Sequence, residues 1–572
     1  MQKRTKILGL IAVVVLFTNQ LMGQSTGNLS EVNCPKEKIV VHLSQESVFP
    51  GEIIAFKIYC NSPVFPLENI SSLVFVELVS SENSSIIRKK ILMDQGKGSG
   101  DFEIPKNIPT GIYYFLAYTN WMKNFGEASF FRKEIIVINS DEPFEKQVIT
   151  PDADIKQKTE EDEKVSILKI LPDKKSYSSR EEVTVNIEAK NKSGNLLSGD
   201  FSVSVYRKEP QMIFQTKKSS GSEIIEKPDK ISILPDYKGI RLSGKLTDRS
   251  GNNVSGAFVT GSTPGPGTDI KSSITDSGGN FNFLLIPEEG EKEMVLTMPG
   301  PDLKISLEES YWNGFRNPPE NLIIKLNPES RKYLERKFQD FQIQNRFKKN
   351  SYITVTPAEI PKDSNVFYSK PYQLVELKNY IKLDSLREYF YELFPSVKFT
   401  QRRGEVNISI FDPLNMTYLE DKTGVFLDGI LFDDYSAIAN IPAKDIESIA
   451  VLPKTYYYKD FTFGGIVDIH TVKSDFKAVN PLPNMSRFIY PMADAAKWKF
   501  VLPDYLLSSV RDRTPDFRYL LYWEPQVKLE KSGKGTFQYY TGDINGDFVI
   551  KVIGMTDEGE ILEAEIKIKV ND

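Results

Sequence analysis

Residues 424–473, GVFLDGILFDDYSAIANIPAKDIESIAVLPKTYYYKDFTFGGIVDIHTVK, constrain the fold of this chain more than any other stretch. An apolar strand ends in Asp428-Gly429, a pair suited to a tight turn. A short loop follows, then the segment IPAKDIESIAVL. A Gly-Gly turn leads into a last strand, residues 466–471, in which apolar residues alternate with others. Upstream, residues 371–394 form an amphipathic stretch. In it Ser385 and Glu388 have capping-box spacing, Leu386, Tyr389, Phe390 and Leu393 share one side, and Pro395 stops the helix. Two strands, 397–400 and 406–411, are expected next. Residues 370–475 therefore read as one small α+β domain.

The rest reads as strands. Residues 35–140 alternate through 39–43, 53–59, 73–79 and 85–93 with turns between. In GDFEIPKNIPTGIYYFLAYTNWM, Pro105 and Pro109 fix a crossing, Gly111 permits a turn, and Tyr113, Phe115 and Ala117 point to one face. Residues 141–164 are acidic and aperiodic, a linker. Residues 165–235 alternate at Val183, Val185, Ile187 and again at Phe201, Val203, Val205. Residues 239–325 hold a D-x-x-G turn at Asp248–Gly251, a second turn at Asp276–Gly279, and Phe281 and Phe283 as core candidates. A helical connector is expected over 326–369, a linker over 476–514, and a terminal sandwich over 515–572. The fold class is mainly β, tandem sandwiches with one α+β domain.

The first residues have a different purpose. Lys3, Arg4 and Lys6 precede an apolar run at 7–17, and Gly23 offers a small residue for cleavage, so residues 1–23 read as a signal peptide. No Cys follows Gly23, and no later apolar stretch reaches the length of a span. The expectation is an exported mature chain without a transmembrane segment. Its two cysteines, Cys34 and Cys60, are a disulfide candidate in that compartment; their geometry is not legible.

Three resemblances follow from these residues. The 370–475 region resembles the plug domain of TonB-dependent outer-membrane receptors. The matching positions are Leu427, Asp428, Gly429, Ile441, Asp445, Ile446, Glu447, Ile449, Val451, Leu452, Gly465, Ile466 and Ile469. Residues 35–140, and more briefly 165–235, resemble macroglobulin-type sandwiches; the tail resembles a macroglobulin or Ig-like one. Residues 239–308 resemble the carboxypeptidase regulatory-like sandwich that often precedes such plugs. A receptor's barrel should follow its plug, and about a hundred residues remain here. The resemblance implies a plug-like module that docks on a barrel supplied by another chain. Where that family has a small Gly-rich turn, this chain has Tyr456, Tyr457, Tyr458, Phe461 and Phe463, candidates for a contact surface or for core.

Chemistry is sparse. A net charge of −5 gives no electrostatic reason for nucleic acid. His42 and His470 are the only histidines and read as strand residues. No zinc spacing, Ser/His/Asp set, phosphate loop, dinucleotide fingerprint or Cys-Gly-Glu-Gln thioester is present. Asp428 with Asp433-Asp434, and Asp543, Asn545 and Asp547, could bind calcium in principle, but turns explain both; Asp428 is expected to bond its own backbone. No catalytic residue, metal or cofactor is expected. The leading functional expectation is a non-enzymatic, periplasmic adaptor peripheral to the outer membrane. The alternative is a periplasmic or cell-surface binding module for glycans or peptides.

Overall fold

The computed structural model describes residues 36–62, 70–139, 166–210, 239–313, 323–325, 328–347, 351–355, 366–474, 482–503 and 514–571, with single positions missing inside two of these ranges, and a few isolated residues between 213 and 237 and at 505. Residues 1–23, Cys34 and the whole of the 141–164 linker lie outside them, and with Cys34 the disulfide pairing. Cys60 is fully buried, and burial pushes its thiol up well above the ordinary value.

The fold is mainly β. In the first sandwich a three-stranded sheet (Lys38–Leu43, Ile53–Asn61, Lys97–Glu103) faces a five-stranded one running Ser47–Val48, Phe131–Val137, Gly111–Tyr118, Leu73–Ser80, Ser85–Leu92. Tyr113, Phe115 and Ala117 point into the core as the alternation requires. Ile112, Tyr114 and Leu116, on the opposite face, are buried as well. The helix Pro328–Arg346 covers them, setting Leu334 and the ring of Phe338 against that face. This helix lies in the expected connector.

The two sandwiches expected at 165–235 and 515–572 are one. Gly199–Arg207 is flanked on one side by Gly546–Thr556 and on the other by Leu520–Leu529; Ile561–Val570 and Ser176–Tyr177 complete that sheet. The facing sheet holds Lys534–Tyr540, Glu182–Asn191 and Ser166–Pro172. Val203 lies opposite Val552, and Val185 opposite Phe537. The strands between 166 and 207 are too few to cover their own apolar faces, so they fold with strands about 310–360 residues later in the chain. Alternation reveals which face a strand buries, not which strand it pairs with.

The 239–308 sandwich packs Asn280–Leu285, Ile240–Asp248 and Leu303–Leu307 against Ile270–Ile274, Phe258–Ser262 and Glu291–Thr297. Its two turns are alike. Asp248 Oδ1 accepts from Ser250 N and Asn252 N, and Asp276 Oδ1 from Gly278 N and Asn280 N, all at 2.8 Å. Phe281 and Phe283 are buried. A fourth strand, Met485–Pro491, joins the edge beside Glu291–Thr297, and Trp498–Phe500 pairs with Tyr352–Thr354. The expected 476–514 linker is therefore partly sheet; its alternating MSRFIYP was hidden among prolines.

The first and third sandwiches share one continuous apolar cluster. The first and split sandwiches meet at a buried polar junction. His42 Nδ1 and Nε2 lie 2.7 and 2.8 Å from Ser202 Oγ and Ser204 Oγ, and Tyr59 donates to Ser202 Oγ at 2.9 Å. Burial, with Lys551 nearby, holds His42 well below its usual pKa. Among the described residues, no helix is long and apolar enough to cross a membrane.

Candidate functional site

The 370–475 region folds as one α+β module. Its sheet runs Gln373–Glu376, Ile446–Tyr458, Phe461–Thr471, Gly424–Leu427, Ile430–Phe432; the hairpin Val397–Arg402 and Glu405–Asp412 and the helix Leu386–Leu393 pack on it. The N-cap half of the capping box forms: Ser385 Oγ accepts from Glu388 N at 3.4 Å and donates to the Glu388 carboxylate at 3.0 Å, while the carboxylate also accepts from Asp384 N at 3.2 Å. The helix ends just before Pro395 and buries Leu386, Tyr389 and Phe390.

Asp428 and Gly429 both have positive φ, 47° and 81°, the signature of a type I′ turn joining Gly424–Leu427 to Ile430–Phe432. The fully buried Asp428 carboxylate reaches beyond its own turn. It accepts from Thr471 N at 2.7 Å and Thr471 Oγ1 at 2.6 Å, fastening the end of the neighbouring parallel strand. Gly465, at φ 82°, has no room for a side chain: a Cβ would stand 2.6 Å from Ile410 Cδ1. Ile446 is buried, Glu447 exposed, and the Asp445 carbonyl accepts from Val472 N at 2.9 Å. Asp428, Gly429, Asp445, Ile446 and Gly465 thus hold the module's backbone in place.

The aromatic run divides. Tyr458 packs on Phe367 at 4.4 Å between ring centroids, and Tyr456 donates to Phe367 O at 3.0 Å. Phe463 is buried, and Phe461 meets Phe258 of the 239–308 sandwich at 5.6 Å. Only Tyr457 of the five stands out in solvent, at 75% exposure. Four of the five are thus occupied inside the molecule; nothing in the sequence signalled Phe367 or Phe258 as their partners.

His470 sits beside the buried Asp468, with Nε2 3.3 Å from its carboxylate, and Tyr368 donates to the same Asp468 at 2.5 Å. Burial alone would lower the His470 pKa. The hydrogen bond and charge of Asp468, with Asp428 and Glu447 adding, outweigh it and raise the value. Among the described residues no group of three His, Cys, Asp or Glu side chains could hold a metal. Asp543 takes the Arg180 guanidinium on both oxygens at 2.6 Å.

The outer surface of the module, in loops and on the helix Leu386–Leu393, carries what sequence reasoning missed. Ile381 is 86% exposed, Tyr391 85%, Leu414 88% and Met416 74%. Leu414 and Met416 occupy the tip after Glu405–Asp412. There Asp412 Oδ1 accepts from Leu414 N at 2.8 Å and Asn415 N at 3.3 Å, and Asn415 donates back to Asp412 Oδ2 at 2.8 Å. Met416 is held at φ 54°, a conformation that costs a non-glycine residue energy. Two large apolar side chains are thereby fixed outward on an ordered tip.

No family model matches the sequence, and no curated protein matches it. Solved structures similar to it include a Salmonella alpha-2-macroglobulin mutant, at 11% identity and TM-score 0.24, covering 95% of this chain and 40% of that one. Trypsin-activated alpha-2-macroglobulin from Escherichia coli aligns at 8% identity and TM-score 0.24, over 94% and 42%. The Yersinia pseudotuberculosis adhesin InvE aligns at 10% and 0.13, over 50% and 60%. The chain spans about two fifths of the length of these macroglobulins. With likeness this slight, the functional argument rests on the chain's own geometry.

Proposed function

We propose that this chain is an exported, non-enzymatic adaptor whose plug-like 370–475 module docks on an outer-membrane β-barrel of another chain, a secretion or TonB-dependent uptake channel. The sandwiches act as spacers on the periplasmic side. The tip at Leu414 and Met416 carries this reading. Its backbone is tied by Asp412 and strained at Met416, yet both side chains lie in water. Burying each in a partner would contribute about 1.5–3 kcal/mol. A rigid anchor also loses little entropy on docking, which favours this tip over a flexible loop as a contact point. Ile381 and Tyr391 are further exposed large apolar side chains on the same module. The resemblance of Asp428, Gly429, Asp445 to Glu447, and Gly465 to the plug pattern supplies the class of partner, as analogy.

The test places a photo-crosslinking residue at 414 or 416 in the full chain, in its own envelope. A single adduct with a heat-modifiable barrel is expected, absent from a control position at the exposed Lys531 turn. Equal labelling from both positions, or none from either, would sink the reading.

A further inference from the structure

Where the first sandwich meets the two ends of the 239–308 sandwich, an amine, a carboxamide and a carboxyl group are in contact. We propose that this is a self-modification site: Lys123 Nζ forms an isopeptide bond with Asn120 Cγ, ammonia leaves, and Asp236 carries the proton.

The chain sets the groups close together. Asn120 and Trp121 make the turn that opens the 3-10 helix Met122–Phe125. Side chains three residues apart eclipse in such a turn, which brings Lys123 over Asn120. Lys123 Nζ donates to Asn120 Oδ1 at 2.6 Å. With a C=O bond of about 1.23 Å, Nζ lies within about 4 Å of the amide carbon, near the separation of about 3–3.5 Å from which such bonds form. The other end of the amide, Nδ2, donates to Asp236 Oδ2. An ammonium can only donate and a carboxylate only accept, so the two neighbours fix which end of the amide faces each. Asn120 and Asp236 are both buried. Asp236 is held from the side of the first sandwich: its carbonyl accepts from Ser72 N at 3.2 Å, and Asn124 joins the backbone of Ile233 at 2.7 and 3.0 Å.

The surroundings prepare the chemistry. Lys123 Nζ lies 4.2 and 5.5 Å from the ring centroids of Phe75 and Tyr118. Burial brings its pKa down to about 8, with Lys90 adding and the charges of Asp236 and Glu77 opposing. Burial pushes Asp236 up to about 6, with Glu37 adding, against the Asn120 hydrogen bond and the charges of Arg241 and Lys123. A neutral amine is a nucleophile, and a carboxyl group in that range both takes and returns a proton. The steps balance without a co-reactant. Lys123 first releases one ammonium proton to water. The Nζ lone pair forms a C–N bond at Asn120 Cγ, and the C=O electron pair moves onto Oδ1. Nζ then stands beside Nδ2 on the same carbon, within reach of Asp236. Asp236 takes one proton from Nζ and gives one to Nδ2. The C=O bond reforms, the C–Nδ2 bond breaks, and ammonia leaves. The product N–H keeps the bond that Lys123 already donates to Ser310 O, and a half-buried cation is gone.

This site is remote in the chain from Leu414 and Met416 and does not rest on the barrel reading. The full chain is digested with trypsin and the peptides are weighed by mass spectrometry. The expected product spans residues 107–132, is uncut after Lys123, and is lighter than its sequence by ammonia, about 17 Da. Fragment ions should place the loss between residues 120 and 123, which separates it from cyclisation of a terminal Gln. Lys123→Arg and Asn120→Ser chains should give no light peptide. In a time course from freshly made protein, Asp236→Asn, close in shape but no proton carrier, should convert at least roughly a hundredfold more slowly. The wild-type result decides the bond whichever variant folds. A wild-type chain cut after Lys123, with both peptides at full mass, overturns the proposal, as does conversion of Asp236→Asn at the wild-type rate.

Discussion

Replacing Asp428 by Ala should loosen the end of the central parallel strand pair. The carboxylate is fully buried and accepts from Thr471 N at 2.7 Å and Thr471 Oγ1 at 2.6 Å. Truncation strands two buried donors, each at a cost of about 1–3 kcal/mol. Ala also resists φ 47°, at about 1 kcal/mol or more. The total is about 3–7 kcal/mol. Asp428→Gly removes the strain and keeps the stranded donors, so it should recover only about 1 kcal/mol of that. Asp428→Asn can still accept from Thr471 N and tolerates positive φ, so its cost should be about 1 kcal/mol. In a chain of several domains a global unfolding energy is ill-defined, so the assay is local: native-state hydrogen exchange over 466–472. A loss of 3 kcal/mol is roughly a hundredfold faster opening. Exchange of Asp428→Ala within about twofold of wild type, or full rescue by Asp428→Gly, would refute the reasoning.

The two histidines should give opposite pH slopes. His470, raised by Asp468, stabilises its strand below its unfolded pKa of about 6.5, and that contribution is lost as pH rises through the folded value. His470→Gln should therefore lose more protection at pH 5.5 than at pH 8.5, read by exchange over 461–471. His42, lowered by burial, contributes above about 6.5, and its stabilisation is lost as pH falls from there toward the folded value. Exchange at 199–207 should speed up on acidification in the wild type and lose that slope in His42→Gln; a flat wild-type profile would contradict it. Ending the chain at residue 514 removes both neighbours of Gly199–Arg207, so protection over 166–207 should vanish while that over 446–471 stays. Persisting protection at 182–191 would show that those strands fold alone.

Local chemistry was legible in the sequence. The capping box at Ser385, the stop at Pro395, the turns at Asp248 and Asp276, and the inward faces of Phe115 and Val203 each depend on a few neighbouring residues. What escaped were matters of distant partnership. Nothing in 165–207 names strands 520–570 as its other half, because period-2 alternation is the same whichever strand lies alongside. Ile112, Tyr114 and Leu116 lie opposite the face of Tyr113, Phe115 and Ala117, and the helix that buries them in a second core comes more than two hundred residues later. Of the candidate site, the Asp428–Gly429 turn was legible, but the carboxylate's partner, Thr471, lies 43 residues on. The aromatic run could be read either as contact surface or as core; Phe367 and Phe258 decide it for all but Tyr457. The exposed Leu414 and Met416 went unnoticed, since two apolar residues in a short loop look the same whether buried or displayed.

The most direct test of the adaptor reading is copurification from mild-detergent outer-membrane extracts, using the tagged full chain and a Leu414→Glu/Met416→Glu variant in parallel. The account predicts a stoichiometric large barrel with the wild type, lost from the variant while its near-ultraviolet dichroism is unchanged. Recovery of the wild type alone in the periplasmic fraction, or a barrel retained equally by both proteins, would contradict it.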